Sequence, residues 1–297
     1  MKIAVVGSIN MDQTVMASRI PHAGETVTGT GLKYVPGGKG ANQAVAMARL
    51  GADVEMFGCV GDDNAGRELT DNLRNNGVGT SRIGRVQDQP TGMAVITVAE
   101  GDNTIVIIAG ANSEVTVDYI RSVQDALLEA GMVLLQHEIP QKTIDYVICL
   151  CSEHGITVML NPAPARPVSS EMMDKISFLT PNEHEAAVIF GEEREFSGLL
   201  QEFPGKLIIT QGSAGVDACT EDGKLIHVPA RHSHVVDTTG AGDTMVGAFA
   251  VRISEGAGLE EALRFANTAA GLSVEKAGAQ GGMPSRAQVE KAVEEQD

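Results

Sequence analysis

Residues 132–161 read MVLLQHEIPQKTIDYVICLCSEHGITVMLN, and their rhythm decides the fold class. Met132–Gln136 is an apolar run closed by a polar residue. Residues 140–154 carry apolar side chains at helical spacing, and Gly155 follows as a stop. Thr157–Asn161 is a second apolar run, again ending on a polar side chain. Strand, helix and strand in that order make a βαβ unit, whose two strands run parallel.

The same alternation continues outward in both directions. A helix is expected over 117–130. Downstream come a strand (176–180), a helix (182–190) and a strand (207–210), then two Ala-rich helices over 242–254 and 259–277. Upstream, Ile3–Val6 reads as a short buried strand. Gly40–Leu50 reads as a helix stopped by Gly51, Val54–Val60 as a strand, and Asn64–Asn76 as an amphipathic helix ended by Gly77. Two stretches break the rhythm. Residues 13–35 are rich in Thr and Gly and read as extended. Residues 91–98 and 104–108 are β-branched runs flanking Glu100-Gly101-Asp102-Asn103, which is a hairpin signal. Together they predict a small sheet apart from the main one. The expected organisation is a single domain over 1–297 with this sheet inserted as a lid from about 13–35 and 91–108.

Composition agrees with an α/β core. Apolar residues make up 43% of the 297, aromatics 3%, and Trp is absent. The interior must then be built from aliphatic side chains, which suit a parallel sheet covered on both faces. The net charge of −17 argues against nucleic acid and against an anionic membrane surface. It leaves room for a phosphorylated small ligand, which backbone N–H groups and helix N-termini can hold. Cys59, Cys149, Cys151 and Cys219 form no Cys-x-x-Cys pair, so reduced thiols and a cytoplasmic location are expected. No apolar run has the length of a membrane span or a signal peptide.

Strand ends are where open parallel sheets place ligands, so the polar residues there carry the chemistry. Gly240-Ala241-Gly242-Asp243 opens a helix after Val236-Asp237-Thr238-Thr239. Small residues bring backbone N–H groups close to a ligand, and a carboxylate at the helix start can take a hydroxyl proton. The competing reading makes Asp243 a helix cap. Pro36-Gly37-Gly38-Lys39-Gly40-Ala41-Asn42 opens another helix. It is no Walker A loop, because its spacing before Lys39 fails and Gly40 stands where Ser or Thr would be. Asn10 and Asp12 are two apart after the first strand, and in extended chain they point the same way. Asn182-Glu183-His184-Glu185 reads either as a capped helix start or as a support for hydrated Mg²⁺. His232 and His234 alone do not make a metal site. No Gly-x-Gly-x-x-Gly follows the first strand and no Gly-x-Ser-x-Gly elbow is present, which disfavours dinucleotide enzymes and hydrolases.

Taken together, these segments resemble the ribokinase family of sugar kinases, from Gly7 to about Pro284. The resemblance rests on Gly37-Gly-Lys-Gly-Ala-Asn-Gln43 and Asp237-Thr-Thr-Gly-Ala-Gly-Asp-Thr244. Gly110-Ala111-Asn112, Asn161–Ala165, Thr180–Glu183 and Lys276–Gln280 add to it. It implies a three-layer α/β/α fold with a mostly parallel central sheet and a small β-sheet lid that pairs between subunits of a homodimer. It implies transfer from ATP to a sugar hydroxyl, the 5-hydroxyl of ribose first, with deoxyribose, fructose or a nucleoside as alternatives. A non-catalytic sugar sensor is a distant one.

The resemblance also assigns residues. The sugar would meet Asn10, Asp12, Gly38, Lys39, Asn42, Glu138 and Asp243. Asp243 would be the base, and Gly240, Ala241 and Gly242 the anion hole. ATP would meet Asn182, the segment Thr210-Gln211-Gly212-Ser213-Ala214-Gly215, Gly242 and Asn267, the last in a place where the family often has His. Glu185 would organise Mg²⁺ through water. K⁺ would sit among Asp237, Thr239, Ser273, Lys276, Gly278 and Gly282, where Gly281-Gly282 replaces a more usual Pro-Ser. The segment 191–205 is expected to be short for the helix the family carries there.

Overall fold

The computed structural model describes residues 1–100 and 102–295. Gly101, part of the expected turn, lies outside them. The chain opens with β1 (Ile3–Val6), β2 (Asn10–Ala17), β3 (Gly29–Gly37), α1 (Lys39–Arg49), β4 (Val54–Gly61) and α2 (Asn64–Asn75). Then follow β5 (Gly79–Val86), β6 (Gly92–Ala99), β7 (Asp102–Ile108), α3 (Val117–Ser122), α4 (Gln124–Leu128), β8 (Met132–Gln136), α5 (Gln141–Glu153) and β9 (Thr157–Asn161). Next come α6 (Ser170–Lys175), β10 (Phe178–Leu179), α7 (Glu183–Phe190), α8 (Phe196–Glu202), β11 (Ile208–Thr210), β12 (Val216–Cys219) and β13 (Leu225–Val228). Four helices close the chain: α9 (Ala241–Ser254), α10 (Leu259–Ser273), α11 (Ala279–Gly282) and α12 (Arg286–Glu294).

The main sheet has the order β10-β9-β8-β1-β4-β5, all parallel. Single parallel bridges at Leu179–Leu207 and Asn182–Thr210 link its β10 end to the antiparallel sheet β11-β12-β13. Strand periodicity divides the core into two layers. Ile3, Val5, Met132 and Leu134 face a cluster shared with α1, α9 and α10, whereas Ala4, Val6, Val133 and Leu135 face one shared with α5 and α8. This is the expected three-layer architecture. A separate sheet, β3-β2-β6-β7, holds the segments expected as a lid, and begins at Asn10 rather than 13.

Several expectations need correction. The helix expected over 117–130 is two short helices, because Val123 (φ −120°) leaves the helical region between them. The last Ala-rich helix ends at Ser273, not 277. In residues 191–205 the helix is the seven-residue α8, with Leu199 and Leu200 buried against the core.

The fold places two helix starts side by side. Gly247, the seventh residue of α9, lets that helix approach α1 closely, since a Cβ there would lie 3.0 Å from Ala46 Cβ and 3.1 Å from Gln43 O. Asn42 and Gln43 on α1 are thereby brought to Asp243. Gly40 plays a similar part against β1. An added Cβ would lie 2.7 Å from Ser8 N and 2.8 Å from Gly7 Cα, both backbone atoms that cannot swing away. This gives a physical reason for Gly where a phosphate-binding loop would carry Ser. Gly40→Ala is expected to cost about 1–3 kcal/mol from overpacking. At roughly 2–4 °C per kcal/mol, a thermal melt would register it, and an unchanged Tm would contradict the close packing.

Candidate active site

The ends of β9, β10 and β11 and the starts of α1, α7 and α9 surround one cavity of about 120 Å³. Lys39, Asn161, Asn182, Glu185, Thr210, Gly240, Gly242 and Asp243 are among the residues lining it.

Asp243 is not a cap. The N-cap of α9 is Gly240, in the left-handed region at φ 77°, and Asp243 is the third residue of the helix, within its first turn and 7% exposed. Its Oδ2 accepts from Asn42 Nδ2 at 2.9 Å and its Oδ1 from Gln43 Nε2 at 3.1 Å. Each oxygen keeps acceptor capacity for a further proton donor. At the same helix start Ala241 N–H is used by Thr238 O, while the first-turn N–H groups of Gly242 and Asp243 have no helical acceptor. A Cβ at Gly242 would meet nothing within 4 Å, so the backbone there is open to a ligand. Gly240 is held to its shape by Ala279, whose Cβ lies 2.8 Å from where a Gly240 Cβ would be.

The expected sugar contacts gather where the start of α1 meets the chain around Ser8–Asn10 and Glu138. Gly38, at φ 86°, passes so close to β2 that a Cβ would lie 2.8 Å from Asn10 N. Asn10 Oδ1 accepts from Asn112 Nδ2 at 2.7 Å, which orients the Asn10 amide. Glu138 Oε2 accepts from Lys39 N at 3.0 Å and from Ser8 Oγ at 2.5 Å, leaving Oε1 for a ligand. Asp12 Oδ1 is buried and has no partner among the described residues. Burial, together with the charges of Glu138 and Asp243, pushes the Asp12 carboxyl up to about 7. Such a group is short of donors, and a polyol supplies them. Burial opposes the charge on Lys39, but Asp243, Glu138 and Glu185 outweigh it and raise the ammonium above its ordinary value.

The expected nucleotide residues divide. Asn182 and Thr210 are paired by the bridge between α7's cap and β11, and both line the cavity. The turn after β11 is shaped by Gly212 and Gly215, both with positive φ, and closed by Gln211 N to Gly215 O. Ser213 and Ala214 are exposed on it. Asn267 is elsewhere: its Nδ2 donates to the carbonyls of Val228 and Pro229, and it lines a second cavity with Arg231, Arg264 and Thr268.

The capping reading of Asn182–Glu185 holds. Asn182 Oδ1 accepts from Glu185 N and Glu185 Oε2 accepts from Asn182 N, each at 2.8 Å, which is a complete capping box. The box uses one Glu185 oxygen. Burial raises the carboxyl, with the Asn182 N–H and Lys39 pulling it the other way, so a cation in the cavity would relieve it. Among the described residues no three His, Cys, Asp or Glu side chains are arranged to hold a metal ion, so a divalent ion here would depend on water and phosphate oxygens.

The expected monovalent-cation residues also converge. Asp237 Oδ1 accepts from Thr239 N at 2.9 Å and Oδ2 from Gly278 N at 2.8 Å, tying the two halves of the loop together. Burial works against the Asp237 charge, and these hydrogen bonds outweigh it and lower the carboxyl below its ordinary value. The carbonyls of Ser273 and Lys276 both turn toward Gly282, where a Cβ would lie 2.1 Å and 3.5 Å from them. An ionised carboxylate beside converging carbonyl oxygens is a donor set that fits K⁺.

Sequence reasoning gave no role to Ser8, Gln43, Asn112, Gln136 or Gln280. Gln43 adjoins Asn42 in the quoted motif, and that adjacency was its only signal.

A family model described as pfkB family carbohydrate kinase matches residues 1–286. The chain is 50% identical over 289 residues to a ribokinase of Bacillus subtilis, covering 97% of this chain and 98% of that one. The structure of a ribokinase from Thermotoga maritima superposes with a TM-score of 0.89 at 36% identity, over 98% of this chain and 99% of that one. An Arabidopsis thaliana ribokinase, solved in complex with ribose and ATP, gives 0.87 at 34% identity over 98% of each chain.

Proposed function

The chain belongs to the pfkB family of carbohydrate kinases, and on that premise we propose that it phosphorylates D-ribose at the 5-hydroxyl, giving ribose 5-phosphate and ADP from ATP. The observation that carries the reading is a buried carboxylate, Asp243, bearing one amide donor on each oxygen and standing at a helix start with unpaired N–H groups.

The sugar binds under the four-stranded sheet with Asn10, Asp12, Asn42 and Glu138 on its hydroxyls and the Gly38–Lys39 backbone beside it. Asp243 accepts the proton of the attacking hydroxyl as its oxygen bonds to the γ-phosphorus. The bond from that phosphorus to the bridging oxygen breaks, and its electron pair leaves on ADP. The N–H groups of Gly242 and Asp243 face the charge that develops on the transferring group, where fixed dipoles act most strongly, whereas the Ala241 N–H expected in this anion hole is taken by Thr238 O, and Gly240 and Ala241 shape the turn. Lys39 adds a positive charge on the same side. Asn182 and the Thr210–Gly215 turn hold the nucleotide, and Asn267 supports the backbone at its edge. Mg²⁺, when bound with ATP, neutralises phosphate charge, and Glu185 would hold it through water. K⁺, when bound at Asp237, Thr239, Ser273, Lys276, Gly278 and Gly282, would add positive charge beside the anion hole.

Two further elements belong to this reading. Leu32, Tyr34 and the run Ile105–Ile108 expose large apolar surface on the four-stranded sheet, with Val106 63% exposed. Apolar patches of this kind mark association surfaces, so the sheets of two copies pair in a homodimer. No helix among the described residues is long and apolar enough to cross a membrane, and all four cysteines are free, which suits a reducing cytoplasm.

The test is ADP release measured over a sugar panel with ATP and Mg²⁺. Ribose is expected to give the highest kcat/KM, ahead of deoxyribose, fructose and nucleosides. A preference for deoxyribose or a nucleoside would move the reading to another acceptor, and no turnover with any of them would reject it.

A further inference from the structure

The Asp243 carboxylate is the meeting point of two chains of side-chain amides. From one side, Gln136 Nε2 donates to Gln43 Oε1 at 2.7 Å, and Gln43 Nε2 donates onward to Asp243 Oδ1 at 3.1 Å. From the other, Asn72 Nδ2 donates to Gln280 Oε1 at 2.7 Å, Gln280 Nε2 to Asn42 Oδ1 at 3.0 Å, and Asn42 Nδ2 to Asp243 Oδ2 at 2.9 Å. Every amide points its N–H groups toward the carboxylate and its oxygen away from it.

This order has a physical consequence. Flipping any one amide would set N–H against N–H or oxygen against oxygen, so each is held by its neighbours. Gln43 and Gln136 are both fully buried, where a mismatched polar atom is costly. Gln136 Oε1 has no partner among the described residues, so this chain accepts an unsatisfied oxygen at its outer end. Packing alone does not call for it, because a methionine of similar volume would fill the same space. Gln43 Nε2 supplies two donors, one to Asn161 Oδ1 at 3.1 Å and one to Asp243 Oδ1, and the second gives the carboxylate a fixed direction.

We infer that Gln43, held in its orientation by Gln136, is a positioning residue for the phosphoryl-transfer base. The inference rests on the reading of Asp243 as that base. Gln43 touches neither sugar nor nucleotide. It fixes the rotamer of Asp243 so that the free lone pairs face the acceptor hydroxyl. The Asn72–Gln280–Asn42 chain does the same from the opposite side. Its middle member stands between Gly278 and Gly282, so the loop that fits K⁺ is mechanically tied to the base.

The decisive experiment is a double-mutant cycle between Gln43→Met and Asp243→Asn, with full kinetics and melting curves for each protein. In the native background Gln43→Met should lower kcat about 10–100-fold while KM for ribose and ATP stays within about twofold, since small displacements of a catalytic group cost this much. In the Asp243→Asn background the same change should alter kcat by less than about twofold, because residues acting as one unit are non-additive. A purely structural Gln43 would move Tm and lower kcat equally in both backgrounds, and that outcome overturns the inference, as does an unchanged kcat. If Gln43→Met does not accumulate folded, Gln136→Met probes the same chain. It should lower kcat about 3–10-fold with KM unchanged, and an indifferent kcat overturns the inference. Native turnover of ribose is measured alongside. Its absence would sink the kinase reading and this inference with it, whereas its presence beside an indifferent Gln43→Met sinks the inference alone.

Discussion

Asp243→Asn is expected to lower kcat about 10²–10⁴-fold while the protein still folds and melts cooperatively. The amide is nearly the same size as the carboxylate and fills the same buried site. It cannot accept a proton from the sugar hydroxyl, so the loss falls on the chemical step and KM for ribose and ATP should change little. A modest stability cost accompanies it. Asn42 and Gln43 both point N–H groups at residue 243, and an asparagine there offers one oxygen and one NH₂ to two donors. One mismatched buried pair costs about 1–3 kcal/mol, which a melting curve separates from the kinetic effect. Near-normal turnover in this variant would remove Asp243 from the mechanism.

The second large effect concerns Asp12 and falls on sugar affinity. Burial and the neighbouring charges of Glu138 and Asp243 place its carboxyl at about 7 in the sugar-free protein. Sugar hydroxyls donate to the ionised form and stabilise it, so the sugar binds that form preferentially. Below pH 7 the free enzyme is increasingly protonated at Asp12, and binding must expel that proton. The kcat/KM for ribose should therefore fall by up to about tenfold per pH unit as pH drops below 7, and level off above it. Asp12→Asn should flatten this limb. Asp12→Ala should raise KM about 10²-fold or more, since charge-assisted hydrogen bonds contribute about 1.5–3 kcal/mol each. The two carboxylates are thus separable: Asp12 variants shift KM, and Asp243 variants shift kcat. A pH-independent KM in the native enzyme, or an Asp12→Ala variant with normal KM, would contradict the assignment.

How far the sequence reveals this molecule depends on the range of each interaction. The parallel sheet was readable because its strands are buried on both faces and alternate with helices, as in residues 132–161. β12 and β13 were not, because they are four-residue strands and β13 exposes alternate residues, leaving too little apolar signal. Within the site, Asp243, Asn42 and Asp12 stood out because their residue types suit chemistry at strand and helix ends. Reading Asp243 as a cap failed for a local reason: Gly240 supplies the left-handed turn, so the carboxylate is free for other partners. Gln43 and Gln136 carried no signal of their own. Their partners lie 200 and 93 residues away along the chain, and a buried glutamine is informative only once its hydrogen bonds are known. Ser8 and Asn112 escaped for the same reason, since each acts by orienting another residue's side chain.

The central claim is transfer of the γ-phosphoryl group to the 5-oxygen of ribose, and the position of the phosphate in the product tests it most directly. Ribose labelled with ¹³C is incubated with ATP, Mg²⁺ and the native protein, and the product is read by phosphorus–carbon coupling. The account predicts coupling to C5 and C4, with one ADP formed for each phosphate transferred. Coupling to C1 and C2, or ADP released without any phosphorylated sugar, would contradict it.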